Sequence, residues 1–325
     1  MSKVTNYFLV LSFLACFSPP IPALAEEQNE NGKWSFAIEE WFSRADAGWQ
    51  ISFSNSGSSG PGKVESELTF ERINSPITIL KGSRPLGSDW SLEAALGIGN
   101  INSGQGTDTD RFFPLSGGVD VFSQSKQDLS GDVLLLEINA YRRRNRTSNP
   151  WGLIVGFLHY EDRLRMRNGV QTISGTFNGD SFPLVGTVLT GLDSTYDFYW
   201  TALKIGTLYE WNTLKRLSLN GSLSLYPVTV YYGEGFWNLR AGTSFRTAAP
   251  SFTHLSLGFG FEAKLGLTFL ITKRVNFGAG YRYLHLKAKD GTYTVYPSNG
   301  PKATADLDWA EVTRHGAYAR FLFQF

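Results

Sequence analysis

The stretch LSLGFGFEAKLGLTF, residues 255–269, alternates without interruption between apolar side chains and polar residues or glycine. Successive side chains of a β-strand point to opposite faces, so one face here meets an apolar medium and the other meets water or polar groups. At ~3.3 Å per residue the stretch is roughly 50 Å long, whereas a tilted strand crosses a bilayer with about 9–11 residues. We therefore predict a transmembrane β-strand that projects beyond the membrane.

The composition of the chain agrees with a membrane barrel. Its 325 residues include 34 glycines, 24 phenylalanines, 14 tyrosines and 9 tryptophans. The mean hydropathy of −0.17 is nearly balanced, as expected when every strand has one lipid-facing and one lumen-facing side. Removing Lys3 with the leader leaves 29 basic residues against 29 acidic ones. This balance gives no basic footprint, so we expect no nucleic-acid partner.

Residues 1–25 predict a secretory signal peptide. A lysine precedes an apolar run over residues 7–17, which is too short to cross a bilayer, and an Ala-x-Ala motif ends at Ala25. Cleavage after Ala25 leaves residues 26–325 as a barrel domain without cysteine. The alternative is cleavage before Cys16 with a lipid attached there, although the preceding Phe-Leu-Ala matches poorly the residues usual before a lipidated cysteine.

Ten segments of alternating type follow the leader, separated by turns that are alternately short and long. An even strand count with both termini on the short-turn side fits a closed barrel, which leaves no unpaired edge in lipid. We predict an all-β fold, a ten-stranded antiparallel transmembrane β-barrel in the outer membrane. A soluble sandwich or propeller would have shorter strands. The predicted strands lie within 33–53, at about 64–80 and 90–100, from 134, at 151–167, at about 194–210, from 217, at 255–269, from 275, and up to 325.

The chain ends with AYARFLFQF, residues 317–325. Phe321, Phe323 and Phe325 share one face of this amphipathic strand, and Arg320 lies on the other. A terminal aromatic residue in such a strand is typical of bacterial outer-membrane barrels. We predict that the three phenylalanines face lipid and that Arg320 faces the lumen.

Any chemistry is expected in the long loops, because short turns of such barrels face the periplasm and long loops face outside. Asp108 and Asp110 stand two residues apart in the second long loop. In an extended chain both carboxylates project the same way, and such a pair can share a proton, hold a water molecule or bind a cation. From the spacing alone, ordinary loop polarity is the simpler explanation. The long loops are predicted at 55–63, 101–130, 168–193, 233–253 and 289–309.

Several blocks resemble the omptin family of ten-stranded outer-membrane endopeptidases. They are SELTFERINSPITILKG (66–82), WSLEAALG (90–97), SGQGTDTD (103–110) and WGLIVGFLHYEDR (151–163), in the family's order. The resemblance covers most of the mature chain and is loose outside these blocks. It implies peptide cleavage, with the family's Asp-x-Asp on Asp108 and Asp110. Family members complete the site with an Asp-x-His dyad in the fourth extracellular loop, where the aspartate orients a histidine that activates water.

The dyad region departs from the family pattern. This chain has YYGEGF at residues 231–236, so Glu234 falls on the dyad's aspartate and Phe236 on its histidine. Phenylalanine cannot accept a proton, and a positioned general base contributes about 10²–10⁴-fold to rate. Among the four histidines, His254 alone falls on the lumen-facing side of its strand. It is the candidate for a relocated base, and the alternative is an ordinary histidine at the rim.

A second matched site lies on the outside of the barrel. Glu161 and Arg163 align with residues that contact lipopolysaccharide in omptins. Counted from the outward residues of the same strand, both point outward just above the lipid band, where a charged pair meets headgroups. The alternative is a simple ion pair at the rim.

Two classes of function remain open. The main hypothesis is a catalytically silent omptin-like barrel that serves as an adhesin, receptor or structural protein, with a peptide or host-surface ligand at its mouth. The alternative is an outer-membrane endopeptidase in which Asp108, Asp110 and Glu234 hold water, with His254 or no group as base. A diffusion pore is a weaker third option, because side chains largely fill the lumen of ten strands. We expect a monomer with no cofactor and no metal site, in contact with lipopolysaccharide.

Deletion of Phe325 should impair assembly into the outer membrane, because it removes the aromatic end of the terminal strand. The amount of folded barrel in outer-membrane fractions, compared with that of the intact chain, measures the effect. Normal levels of the truncated chain would contradict an assembly role for this residue.

Overall fold

The computed structural model describes residues 34–87, 89–143 and 151–325. The predicted signal peptide, the alternative at Cys16 and most of the turn after the fourth predicted strand lie outside these residues. Within the described ranges, no helix is long and apolar enough to cross a membrane.

The described residues form thirteen strands, which we number in chain order. Eleven of them form one large sheet, and β7 and β8 form a small separate hairpin. The strands are β1 (Ser35–Asn55), β2 (Gly62–Leu86), β3 (Trp90–Ile101), β4 (Ser103–Pro114), β5 (Asp120–Arg143), β6 (Trp151–Ser174), β7 (Thr176–Phe177), β8 (Asp180–Ser181), β9 (Ser194–Leu214), β10 (Leu217–Phe236), β11 (Phe252–Thr272), β12 (Val275–Val295) and β13 (Ala303–Gln324).

The strands of the large sheet close into an antiparallel ring of ten walls. A wall is one long strand or, in one case, two shorter strands in line. Each wall pairs with its neighbour along the chain, and β13 pairs with β1 from Ser35↔Gln324 to Ser52↔Asp306. β3 and β4 belong to one wall that is interrupted at Asn102, because both pair with β2 and β5. The predicted ten-stranded antiparallel barrel is confirmed.

Two of the predicted long loops are mostly strand. Residues 101–130 form β4, a short turn and the first half of β5, and residues 289–309 largely belong to β12 and β13. Both regions are polar on their two faces, so they lack the apolar alternation by which the membrane part was recognised. The loop assignment there was wrong, because polar strands outside the membrane pair through the same backbone hydrogen bonds.

The opening stretch faces both media as predicted. Leu257 on β11 is 67% exposed toward the lipid side, whereas Glu262 on the same strand is buried in the lumen. The terminal strand follows the same rule, since Phe325 is 70% exposed and Arg320 reaches Thr268 Oγ1 inside the barrel at 3.5 Å. The prediction that Arg320 faces the lumen is confirmed.

A network of ion pairs fills the lumen at the level of the membrane. The guanidinium of Arg282 is fully buried, contacts Glu137 and lies 2.7 Å from Glu262. Lys204 Nζ lies 2.6 Å from Glu262 Oε2, and Lys264 Nζ lies 3.0 Å from Oε1 of the same residue. Charges taken out of water are stable only when they are well paired. The network therefore ties the walls β5, β9, β11 and β12 together across the lumen.

A second buried group lies on another part of the inner wall. Arg314 on β13 donates to both carboxylate oxygens of Asp162, at 3.0 and 2.9 Å, and to Tyr160 at 3.0 Å. Its other nitrogen donates to Ser43 at 2.8 Å and also contacts Ser75. This guanidinium joins β1, β2, β6 and β13. Hydrogen bonds and ion pairs therefore fill the barrel interior together with aromatic rings.

Substitution of Arg282 by methionine should lower the free energy of unfolding by about 3–5 kcal/mol, because Glu137 and Glu262 lose their common buried partner. Chemical unfolding of the refolded barrel in detergent, followed by tryptophan fluorescence, measures the change. Arg320→Met is the matched control, since Arg320 is partly exposed and makes one long hydrogen bond. Equal losses in the two variants would contradict a central role for the network.

Candidate functional site at the extracellular mouth

Asp108 and Asp110 lie together on the inner face of the wall above the membrane. On β4, Asp108 stands opposite Leu68 of β2, and Asp110 stands opposite Ser66. Leu68 is fully buried in the lumen, so side chains in register with it point inward. The structure thus brings the two predicted carboxylates to one place, with Ser125 of β5 in register with Asp108.

The two carboxylates influence each other electrostatically. Burial and, second, the neighbouring Asp110 raise the pKa of Asp108 to about 7, against the opposing effect of Arg240. Burial also raises the pKa of Asp110, while a hydrogen bond from Ser66 and the charges of Arg240 and Arg111 act the other way. At neutral pH the pair therefore carries less than its full two negative charges.

Arg240 and Tyr293 complete the surroundings of the carboxylate pair. Arg240 ends a 3₁₀ helix, Asn238–Arg240, in the loop after β10. Burial raises the pKa of Tyr293 on β12, and both Arg240 and the two carboxylates act on its hydroxyl. Sequence analysis missed Arg240 and Tyr293, because their place depends on how the loop after β10 and the end of β12 fold over the mouth.

His254 is sealed inside an aromatic cluster below the mouth. Its side chain is 1% exposed, and its Nδ1 lies 2.9 Å from the hydroxyl of Tyr196. The rings of Trp49, Phe252 and Tyr293 surround it at centroid distances of 4.7, 5.1 and 5.4 Å. Its Nε2 has no hydrogen-bond partner among the residues that the structure describes.

The chemistry of His254 follows from this burial. His254 precedes the lipid-facing side chains of β11, which begin at Leu255. Burial alone lowers its pKa to about 3, and neither Asp108 nor Asp110 contributes to the shift in the described part of the chain. The imidazole is therefore neutral and is not electrostatically coupled to the carboxylate pair. The predicted lumen-facing side is correct, but the residue lies in the core rather than at an open rim.

Glu234 does not join the carboxylate pair. Tyr231 is buried in the lumen, so the alternation along β10 turns Tyr232, Glu234 and Phe236 outward. Tyr232 donates a hydrogen bond to Glu234 Oε2 at 3.2 Å. On the same outer face, burial and then Glu234 raise the pKa of Asp197 to about 6. The expectation that Glu234 holds water together with Asp108 and Asp110 was wrong. Glu234 lies on the outer face of β10, whereas the two aspartates lie on the inner face of β4.

The inward positions of this part of β10 are glycines. Gly233 and Gly235 alternate with the outward residues. A Cβ atom at Gly235 would lie 2.1 Å from Cζ of Phe252, and one at Gly233 would lie 2.4 Å from the hydroxyl oxygen of Tyr196. The space that a side chain from β10 would need is already filled by rings from β9 and β11.

The predicted outer pair lies where the sequence placed it. Glu161 and Arg163 form an ion pair on the outer face of β6, and Arg163 is 57% exposed. The same face continues upward with Arg165 and Arg167, which both contact Asp193. Sequence analysis missed these two arginines, although they follow Arg163 in steps of two residues and so share its face of the strand.

The mouth was expected to hold no metal ion, and the composition of its described residues bears on that expectation. Across the described ranges, no group of three or more histidine, cysteine, aspartate and glutamate side chains could hold a metal ion. The carboxylates at the mouth have basic and phenolic neighbours instead, which suits a proton or a charged organic group.

The raised pKa of Asp108 predicts a pH-dependent stability. An unfolded aspartate loses its proton near 3.8 and Asp108 in the folded state near 7, so the folded state binds more protons between these values. Stability should therefore fall as pH rises from about 4 to about 7. Asp108→Asn should flatten this fall and should be the more stable protein above pH 7.

Guanidinium unfolding in detergent at several pH values measures this effect. Asp120→Asn, at the exposed end of β5, is the matched control and should keep the slope of the intact protein. Identical slopes in all three proteins would contradict the shift.

Comparison with solved structures shows the fold. Outer membrane protease OmpT from Escherichia coli has a TM-score of 0.67 at 13% identity, with 93% of this chain and 99% of that chain covered. The outer membrane protein OprG from Pseudomonas aeruginosa has a TM-score of 0.28 at 10% identity, with 91% and 97% covered. A FadL homologue from Pseudomonas aeruginosa also has 0.28, at 8% identity, with 91% and 90% covered.

Sequence comparison gives the family. No curated protein sequence matches the chain. The family model of the Protochlamydia outer membrane protein, Pom, matches residues 38–317, which is most of the barrel. An OmpT-like barrel of this family lies in the outer membrane, and the chain belongs to the Protochlamydia outer membrane protein family.

Proposed function

We propose that this barrel is a catalytically silent outer-membrane protein whose extracellular mouth binds a ligand without cleaving it. The observation that carries the proposal is the inner face of β10. Gly233 and Gly235 occupy its inward positions, and the ring of Phe252 fills the adjoining space. Among the described residues, no ionisable side chain of β10 acts on the pKa of either carboxylate, so this wall does not supply the second half of an omptin-type site.

The buried imidazole supports the same conclusion. A general base must lie within hydrogen-bond reach of the water that it activates. His254 is enclosed by Trp49, Phe252 and Tyr293, and its Nδ1 already contacts the hydroxyl of Tyr196. Burial keeps it neutral, but enclosure keeps it away from water at the mouth. It packs as a core residue.

The mouth is suited to binding charged ligands. Asp108 and Asp110 present one partly protonated carboxylate pair, and Arg240 adds a cation beside it. A peptide or a host-surface ligand that carries both charges could contact acid and base together, which fits a receptor or adhesin role. Because β13 closes on β1 within one chain, the proposal needs a single copy of the protein.

The test is cleavage of basic peptides by the purified protein in the presence of lipopolysaccharide. No cleavage is expected, with OmpT of Escherichia coli as the positive control. Phe236→His should remain inactive as well, because residue 236 lies on the outer face of β10. Robust cleavage by the unmodified protein, abolished by Asp108→Ala and by Asp110→Ala, would overturn the silent-barrel proposal.

The coupled carboxylates favour one second candidate, an endopeptidase built on Asp108 and Asp110 alone. Two neighbouring acids can divide the roles of acid and base, as in aspartic proteases. This candidate requires cleavage with a pH profile that is bell-shaped around the two carboxylate pKa values. Loss of that profile in Asp108→Asn, with the fold intact, would support it against the silent barrel.

We also propose that the outer face of β6 contacts lipopolysaccharide. The exposed guanidinium of Arg163 stands above the apolar residues of the strand, with Arg165 and Arg167 above it. Arginine pairs well with phosphate because its donors match two phosphate oxygens. The ion pair with Glu161 holds the Arg163 side chain at the height of the headgroups.

Arg163→Ala should reduce the lipopolysaccharide that copurifies with the barrel, measured as phosphate or fatty acid per protein. Arg44→Ala, an exposed arginine on the outer face of β1, is the matched control. Equal amounts of bound lipid in both variants would reduce the Glu161–Arg163 pair to a simple ion pair.

A further inference from the structure

The hairpin formed by β7 and β8 reaches from one wall to the loop of another. Asn178 and Gly179, both with positive φ, form its tight turn, a type of turn that favours this pair of residues. The hairpin follows β6, yet the backbone N–H of Asn178 donates to Ser59 Oγ in the β1–β2 loop at 2.8 Å. A segment of the third extracellular loop is thus fastened to the first.

The two segments exchange hydrogen bonds in both directions. We call the group formed by Asn55, Ser59, Gly60 and Asn178 the clasp. Ser59 N–H donates back to Asn178 Oδ1 at 3.0 Å, and Asn178 Nδ2 donates to Asn55 Oδ1 at 2.9 Å. Asn55 Nδ2 in turn holds the carbonyl of Gly60 at 2.7 Å. These bonds lie at the surface, where each net hydrogen bond contributes only about 0.5–1.5 kcal/mol. The clasp can therefore be broken without unfolding the barrel.

Aromatic rings hold the hairpin against the inner face of the wall. Phe177 stacks on Phe122 of β5 with centroids 4.5 Å apart and planes 11° apart, and it lies 5.4 Å from Phe112 of β4. Phe112 is in register with the buried Val64 of β2. Both belong to the inward-facing set, so the hairpin lies inside the rim and not on its outer surface.

The carboxylate pair lies directly below this aromatic group. Phe112 and Asp110 are two residues apart on the same face of β4, and Asp108 follows two residues further down. The hairpin therefore lies on the extracellular side of the pair, whose carboxylates are half-buried, while the aromatic core with Phe70 lies beneath the pair. A bulky group that approaches the carboxylates from this side has to pass the hairpin.

We propose that the β7–β8 hairpin is a lid that is fastened by Asn178 and that controls access to Asp108 and Asp110. Opening breaks the clasp and separates Phe177 from Phe112 and Phe122, while the ladder of β6 and β9 stays intact below it. The exposed, glycine-rich loop around Ser59 can change its conformation without disturbing β1 or β2. The lid is independent of whether the mouth binds or cleaves its ligand.

The experiment uses a single cysteine below the lid. Ser66 is in register with Asp110, so Ser66→Cys reports access to the pair. The full chain carries Cys16→Ser in addition, which removes the one natural cysteine. Intact cells that display the barrel are treated with a maleimide-linked polyethylene glycol, and the rate of the resulting shift on a gel is measured.

Asn178→Gly removes the bonds that the Asn178 side chain makes in the clasp and preserves the turn, because glycine adopts positive φ without strain. It should raise the labelling rate of the cysteine about tenfold, the change given by a shift of about 1.4 kcal/mol. Ser59→Gly removes one of the bonds and should give a smaller rise. Ser116→Gly, in the β4–β5 turn away from the clasp, is the matched control and should leave the rate unchanged.

Heat-dependent migration on gels shows which variants are folded, and Ser59→Gly carries the test if Asn178→Gly does not assemble. Unchanged labelling in both folded clasp variants would overturn the lid. An equal rise in Ser116→Gly would also overturn it, since loosening of any loop tip would then suffice.

Discussion

Closure of the ring by β13 and β1 is the constraint on which the structure depends. Backbone N–H and C=O groups have no water partner in lipid, so a sheet that crosses a membrane must have no free edge. The ladder from Ser35↔Gln324 to Ser52↔Asp306 removes both edges at once. Closure also fixes an interior that must be filled. The buried charges of Arg282 and Arg314 fill it by joining walls that are distant in sequence.

The same backbone pairing continues beyond the membrane with other side chains. At the height of lipid, the two faces of a strand differ sharply, as Leu257 and Glu262 do on β11. Above it both faces are polar, and small aromatic groups such as Phe112, Phe122 and Phe177 stabilise the extension. The strands therefore continue into the mouth, and its chemistry depends on which side chains the pleat turns inward.

The sequence predicts the fold well and the site only in part, for physical reasons. Apolar alternation identifies strands in contact with lipid, but it vanishes in the Thr-Asp-Thr-Asp of β4, so that strand was predicted as loop. Asp108 and Asp110 could be paired because residues two apart share a face in any strand. Glu234 could not be placed, since a one-residue difference in register turns a side chain to the other face. Arg240 depends on the path of a loop that carries no periodic signal.

Likeness of fold is therefore a weak guide to activity at this mouth. The barrel shares its architecture with OmpT at 13% identity, and architecture is set by closure and by the lipid-facing residues. Activity would be set by a few inward positions near the rim, which neither requirement restricts. Here Gly233 and Gly235 leave two inward positions of β10 without side chains, and Phe252 occupies the gap. Under the proposed function, the carboxylate pair on the wall of β4 therefore binds a ligand without a partner on β10 for hydrolysis, and the hairpin lies above it.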